Sequence, residues 1–266
     1  MANYTANYHL KKPLQTEFYN IDDHNGNADI IDTQLKAVSD AAKARKYFVF
    51  VAASDSPQRF KNGADHVCDG TDDNVEIAQA MQSNTVVFLA PGTYYISGLS
   101  VLTHDVVLKG VGDVRLVLSS RIQVFDKNTE FSNIRFSHTA GYEDDVFINL
   151  NGINGHWADG VNINNCAFEL QDREEYVTNA LTTMGTALSG VLRITDCVFF
   201  CTGTEYDLIK REITSQVYCI VTGCAAISTE NGLPRSRSIN IDENDFGTES
   251  RFAVTGNINF VHTQRT

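Results

Sequence analysis

Four stretches of this chain repeat one pattern, and that pattern restricts the fold more than any other feature of the sequence. They are residues 161–168 (VNINNCAF), 192–199 (LRITDCVF), 219–226 (CIVTGCAA) and 239–246 (INIDENDF). In each, apolar residues fill the first and third positions, a small polar pair follows, then Cys or Asn, then usually Phe. A weaker copy, TEFSNIRF, covers residues 129–136. Alternation on both sides of a polar bend means two short strands whose side chains point the same way, inward. The third positions fall at residues 131, 163, 194, 221 and 241, so the steps are 32, 31, 27 and 20 residues. Unequal steps around a preserved motif suit an all-β solenoid, whose coils bury their faces on one another while their loops vary in length. A solenoid is a scaffold, so function is expected in its loops and ends.

The remainder of the chain supports that architecture. With 266 residues, 42% of them hydrophobic, there is enough material for one sizeable core and an appendage. Beyond residue 85, abundant Asn, Thr and Val favour strands. A net charge of −12 repels nucleic acid and anionic membrane surfaces, so neither is expected as a partner. No run of about 18 apolar residues is present to span a bilayer. The start, MANYTANYHLKKP, lacks the apolar region of a signal peptide, and synthesis in the cytoplasm without export by the usual route is expected.

Six cysteines raise the question of disulfides or metal. Cys166, Cys197 and Cys224 share one position of the pattern and should stack as a column of small buried side chains, with Cys219 at another inward position. Cys197 and Cys201 lie four residues apart in a strand, roughly 13 Å, too far to bridge. Reduced packing cysteines are the expectation. No CxxC or HxxxH pair gives zinc-ligand spacing and no calcium-binding repeat occurs, so no metal or other cofactor is expected.

Along the chain, residues 1–26 are polar and turn-rich. A helix is expected from Asn27 to about Arg45, where Ala28, Ile31, Leu35, Val38 and Ala42 follow the spacing of a coiled-coil seam. It covers barely two heptads, so it must pack on something, either sister chains or its own domain. Residues 47–52 (YFVFVA) read as a strand, and 54–63 as a loop. A second helix opens after Asp73, expected as its N-cap with Glu76 as capping-box partner, and shows an apolar stripe of Val75, Ile77, Ala78 and Met81. Three short strands follow from residue 84, broken at turns such as Pro91-Gly92. The implied organisation is an N-terminal attachment or oligomerisation segment, residues 1–60, and a solenoid, residues 61–266.

At this point CDGTDDNVEIAQAM, followed by VVFLAPGTYYISG and VVLKGVG, resembles the start of the pectin-lyase-like right-handed parallel β-helix superfamily. The resemblance covers residues 65–112 and continues through the pattern copies to about residue 246. It implies a right-handed parallel β-helix closed at its N-terminal end by a capping helix, which shields the end strands from other chains. The bend positions Asn165 and Asp196 are similar to the polar turn between inward strands in that superfamily. Residues 1–60, with YTANYHLKKPLQTEFYNIDDHNGNADIID and VFVAASDSP, resemble the start of bacteriophage and prophage tail-fibre proteins. That likeness implies a virion component, a fibre or spike subunit that is usually trimeric and joins other tail or baseplate proteins.

Candidate chemistry is sparse. No Asn-Thr-Asp or Gly-His-Gly motif marks a glycosidase, and Ile209-Lys210-Arg211 is only a partial echo of a lyase base. Acidic runs at Glu143-Asp144-Asp145, at Asp172, Glu174 and Glu175, and at Glu205 and Asp207 read as solvated loops. No catalytic residue is assigned. Trp157, the only tryptophan, and Tyr142 are the candidate carbohydrate-binding residues, because aromatic rings stack on sugar faces. Trp157 could equally cover the apolar outside of a coil or a subunit contact. His156 beside it has no partner in sequence that would make it a base or ligand. Three functions stay open: a non-enzymatic tail fibre or spike subunit that contacts host-surface carbohydrate, a polysaccharide depolymerase (lyase or hydrolase), and a bacterial carbohydrate-binding surface protein.

Overall fold

The computed structural model describes residues 3–5, 10–12, 20–44, 48–82, 86–101, 105–125, 128–139, 146–151, 156–170, 172–173, 176–177, 179–184, 189–201, 206–207, 209–211, 216–230, 233–235, 239–242, 251–257 and 260–263. The chain divides into two compact units, Met1–Tyr47 and Phe48–Thr266.

In the first unit a short antiparallel pair, Asn3–Tyr4 with Lys11–Lys12, precedes a helix over Ile21–Ala44. The helix begins six residues before Asn27, because the polar stretch read as turns supplies its N-terminus. Asn20 Oδ1 accepts the Asp22 amide at 3.0 Å, and Asp22 and Asp23 sit in the first turn, where the helix dipole favours negative charge. Lys11 pairs with Asp23, and Lys11 and Asn27 exchange two hydrogen bonds of 2.8 and 3.0 Å. Ile31, Leu35 and Val38 of the predicted seam are exposed.

The second unit winds through three sheets in turn. Val86–Leu89, Gly92–Ile96 and Leu99–Val101 begin the series, and Val107–Gly110, Val114–Leu118 and Ile122–Val124 stack on them in parallel. Among the described residues the three sheets hold nine, seven and five strands. Pairing is parallel except where Leu233–Arg235 ends the seven-stranded sheet antiparallel. Phe48–Ala52, grouped by sequence with the N-terminal segment, pairs with Val86–Leu89 and belongs to the nine-stranded sheet.

Side-chain columns run through the stack. Val87, Leu108, Phe131, Ile163, Ile194, Val221 and Val254 are in register along the nine-stranded sheet. Coil length therefore ranges from 21 residues, Val87 to Leu108, to 33, Val221 to Val254. This corrects one expectation. The copy at 239–246 is not the next coil of the column: Ile239–Asp242 instead pairs with Tyr206–Asp207 and Phe260–Thr263 in a separate sheet. The true continuation is Arg251–Thr255, where Asn257 stands in the pattern's Cys position. On the seven-stranded sheet, Tyr94, Leu116, Phe136, Phe168, Phe199 and Ala226 form the facing buried column. The rings of Phe136, Phe168 and Phe199 stack at 4.8 and 5.2 Å. Phe246, expected inside, lies outside the described residues.

A left-handed residue ends the strand of the nine-stranded sheet in five successive coils. Asn133, Asn165, Asp196, Gly223 and Gly256 hold φ of 56, 49, 54, 70 and 66°. Asn, Asp and Gly tolerate that conformation best, which explains the polar pair of the pattern. Amides of the bend donate to the next coil, as from Asn165 to the Thr195 carbonyl at 2.9 Å and from Asp196 to the Thr222 carbonyl at 3.0 Å.

The thiols of Cys166, Cys197 and Cys224 stack just inside these bends. Each donates to a carbonyl of the preceding coil: Phe131 at 3.5 Å, Ile163 at 3.6 Å and Ile194 at 3.6 Å. All six cysteines are buried and unbridged.

The second predicted helix, Asn74–Met81, packs against Phe48–Ala52, His66–Val67, Val86–Leu89 and Leu99–Val101, and so covers the first coil. Its buried face is Ile77, Ala80 and Met81, with Ala78 partly buried, whereas Val75 is exposed. Over eight residues the helix can bury only one narrow stripe, and Val75 falls on its far side.

Candidate functional site

Asp73 sits where the first coil meets the helix that covers it, and its side chain does not cap that helix. Its backbone is already helical, at φ −58° and ψ −8°, and its carboxylate makes no bond to the helix amides. Instead Oδ1 accepts the Gly70 amide at 2.9 Å, and Oδ2 accepts the Tyr95 amide at 2.8 Å. Its own amide donates to the Tyr95 carbonyl at 2.8 Å. The carboxylate thus ties the turn before the helix to the strand Gly92–Ile96. Gly70 can make the turn because it lacks a side chain: φ is +92°, and a Cβ would lie 2.6 Å from Ser54 Oγ.

Asp73 is fully buried, and burial raises its carboxyl above the ordinary range against the opposing pull of the Tyr95 and Gly70 amides. Glu76, one helical turn on, places Oε2 where it is shielded from solvent and has no hydrogen-bond partner among the described residues. The Cys68 thiol, 2% exposed, completes the group: one donor atom from each of the three residues lies within 4.8 Å of the others. Burial, then Asp73, Glu76 and Asp69, push that thiol well above its ordinary range. The capping box expected of Asp73 and Glu76 is not formed; the two carboxylates lie beside the Cys68 thiol instead.

A second feature lies on the outer face of the seven-stranded sheet. Arg115 and Arg135 occupy register-matched positions on adjacent coils, and Glu169 on the next coil accepts from both, at 2.8 Å from Arg115 Nη2 and 2.6 Å from Arg135 Nε. The Arg135 guanidinium also lies 5.3 Å from the Phe200 ring centroid. Beside this ladder are two open hollows of about 460 and 300 Å³, which share Asp113 and Arg135. Their size is that of a small-ligand site; the larger has mainly polar walls, suited to hydroxyl-rich molecules, and the smaller has mainly apolar ones. Sequence reasoning missed this ladder. Its signal was an Arg at the outward position after the bend in TEFSNIRF, where three of the other four copies carry Ala or Val.

Tyr142 lies outside the described residues, as do Glu143, Asp144, Asp145, Glu174, Glu175 and Glu205. For His156 and Trp157 only the backbone is described. They pair with Ser189 and Gly190 in the strand His156–Asn164, which has an irregularity before Val161, so this stretch is strand rather than the expected loop. Lys210 and Arg211 fall in a strand that pairs with Thr182 and Thr183.

Comparison with family models, with characterised proteins and with solved structures gives no match to this chain.

Proposed function

We propose that this chain is a subunit of a bacteriophage or prophage tail fibre or tail spike, made in the host cytoplasm and carried on the virion. In this reading it is a trimer of right-handed parallel β-helices that contacts host-surface carbohydrate without cleaving it. Right-handed winding follows from the strong preference of parallel-strand crossovers for that hand. The observation that carries the reading is the exposed seam of Ile31, Leu35 and Val38 on a helix attached to a solenoid. Such a stripe is unfavourable in water and suits sister copies of the same helix. The first unit would then assemble the fibre and join it to other tail or baseplate proteins. Tyr142, Trp157 and the larger, mainly polar hollow beside Arg115 and Arg135 are the surfaces offered to sugars.

The test separates this reading from a depolymerase. Purified protein is incubated with host cells, capsule and cell-wall polysaccharides. Retention on cells with no new reducing ends or unsaturated products is expected. Reproducible product release would replace it with a lyase or hydrolase reading.

A further inference from the structure

We propose that Cys68, Asp73 and Glu76 form a divalent-metal site beneath the cap helix, with zinc the best-fitting ion. Three observations converge. The donor atoms lie within 4.8 Å of one another, close enough to meet at one ion after small rotamer changes. Glu76 Oε2 is a buried oxygen with no hydrogen-bond partner among the described residues, a costly arrangement unless something binds it. The thiol is 2% exposed and lies among carboxylates, and the charged groups acting on it, Asp73, Glu76 and Asp69, are all acidic.

The donor set selects the metal. A thiolate with two carboxylates is softer than the all-oxygen shell that calcium or magnesium prefers, and zinc accepts S and O together in tetrahedral geometry. Asp73 is oriented for the role, since the Gly70 and Tyr95 amides hold its two oxygens and leave each a further lone pair. As the metal–sulfur bond forms, the Cys68 proton passes to solvent, so affinity rises with pH. The bound ion reverses the burial penalty now carried by the thiol and Asp73. It also joins Cys68, just after the strand His66–Val67, to the cap helix at Glu76.

The experiment uses the full chain, stripped with a chelator and titrated with Co²⁺ and Zn²⁺. Co²⁺ should bind one per chain and give a thiolate-to-cobalt charge-transfer band in the near ultraviolet. Cys68→Ala should abolish the band. Glu76→Gln should keep it while weakening Zn²⁺ binding by about tenfold or more. Asp73 is left intact because it holds the turn. No charge-transfer band in the unaltered chain would overturn the proposal, and that result does not depend on any variant folding. A band that survives Cys68→Ala, or Zn²⁺ affinity unchanged in Glu76→Gln, would overturn it as well.

Discussion

The side-chain amide of Asn165 donates to the side-chain oxygen of Asn133, one coil away, at 2.7 Å, and both residues hold positive φ. At these two bends the same residue type therefore solves two problems. It accepts the left-handed backbone and uses its amide to tie one coil to the next. At Gly223 the ladder changes form, because a Cβ there would lie 2.4 Å from Asp196 Oδ1.

Asn165→Val should be destabilising by ~1–2 kcal/mol for the left-handed backbone alone, with a further loss from the broken side-chain bond. Asn165→Gly should lose only the bond. Chemical denaturation of the two variants measures the difference, and equal midpoints would show that the backbone conformation is not the constraint.

Phe168 lies between Phe136 and Phe199 in the ring column. Phe168→Ala should cost about 3–5 kcal/mol through the cavity it leaves. A double-mutant cycle with Phe199→Ala should show coupling of about 0.5–1.5 kcal/mol. Strict additivity would mean that the rings are not in contact.

Much of this core was legible because the pattern records a physical alternation. Ile163, Ile194 and Val221 announce inward strands, Asn165 and Asp196 announce the bend, and Cys166, Cys197 and Cys224 fit the narrow space inside it. The final coil was not legible. INIDENDF matches the pattern's apolar and polar classes better than FAVTGNIN does, yet the latter occupies the column. In the coil that does continue the column, Asn257 Oδ1 accepts the Cys224 amide at 2.8 Å and Nδ2 donates to the Val221 carbonyl at 3.0 Å, a long-range fit that residue classes do not encode. Asp73 was misread for a similar reason. An Asp before a helix looks like a cap, and only its contact with Tyr95, a residue 22 positions away, reveals the long-range tie. The Cys68 group was invisible because its sulfur, five residues before Asp73, meets the carboxylates only after folding.

The six thiols should resist a thiol reagent in the native protein and all react after unfolding. Burial raises Cys219 from 9.0 to about 12. Cys197 and Cys224 are raised above their ordinary range, first by the adjoining thiols, Cys166 and Cys197 respectively. Because the folded chain holds these protons more tightly than the unfolded chain, the associated stability is fully present below about pH 9 and falls as pH rises beyond it. The slope is ~1.4 kcal/mol per pH unit for each such thiol. Denaturation midpoints that stay constant between about pH 8 and about pH 10 would contradict the assignment.

Asp73→Asn replaces one acceptor oxygen with an NH₂ group that must face either the Gly70 or the Tyr95 amide. The loss should be about 1–3 kcal/mol, the penalty of an unsatisfied buried donor. Hydrogen exchange should speed up first at Gly70, Tyr95 and the cap helix. Unchanged exchange there would show that the carboxylate does not hold the turn.

Assembly through the exposed seam is tested most directly by mass in solution. Light scattering on the purified chain should give three times the chain mass of 29.4 kDa. Leu35→Asp should reduce it to the single-chain value while the solenoid keeps its melting temperature. A monomeric mass for the unaltered chain, or a trimer indifferent to Leu35→Asp, would contradict the proposed fibre assembly.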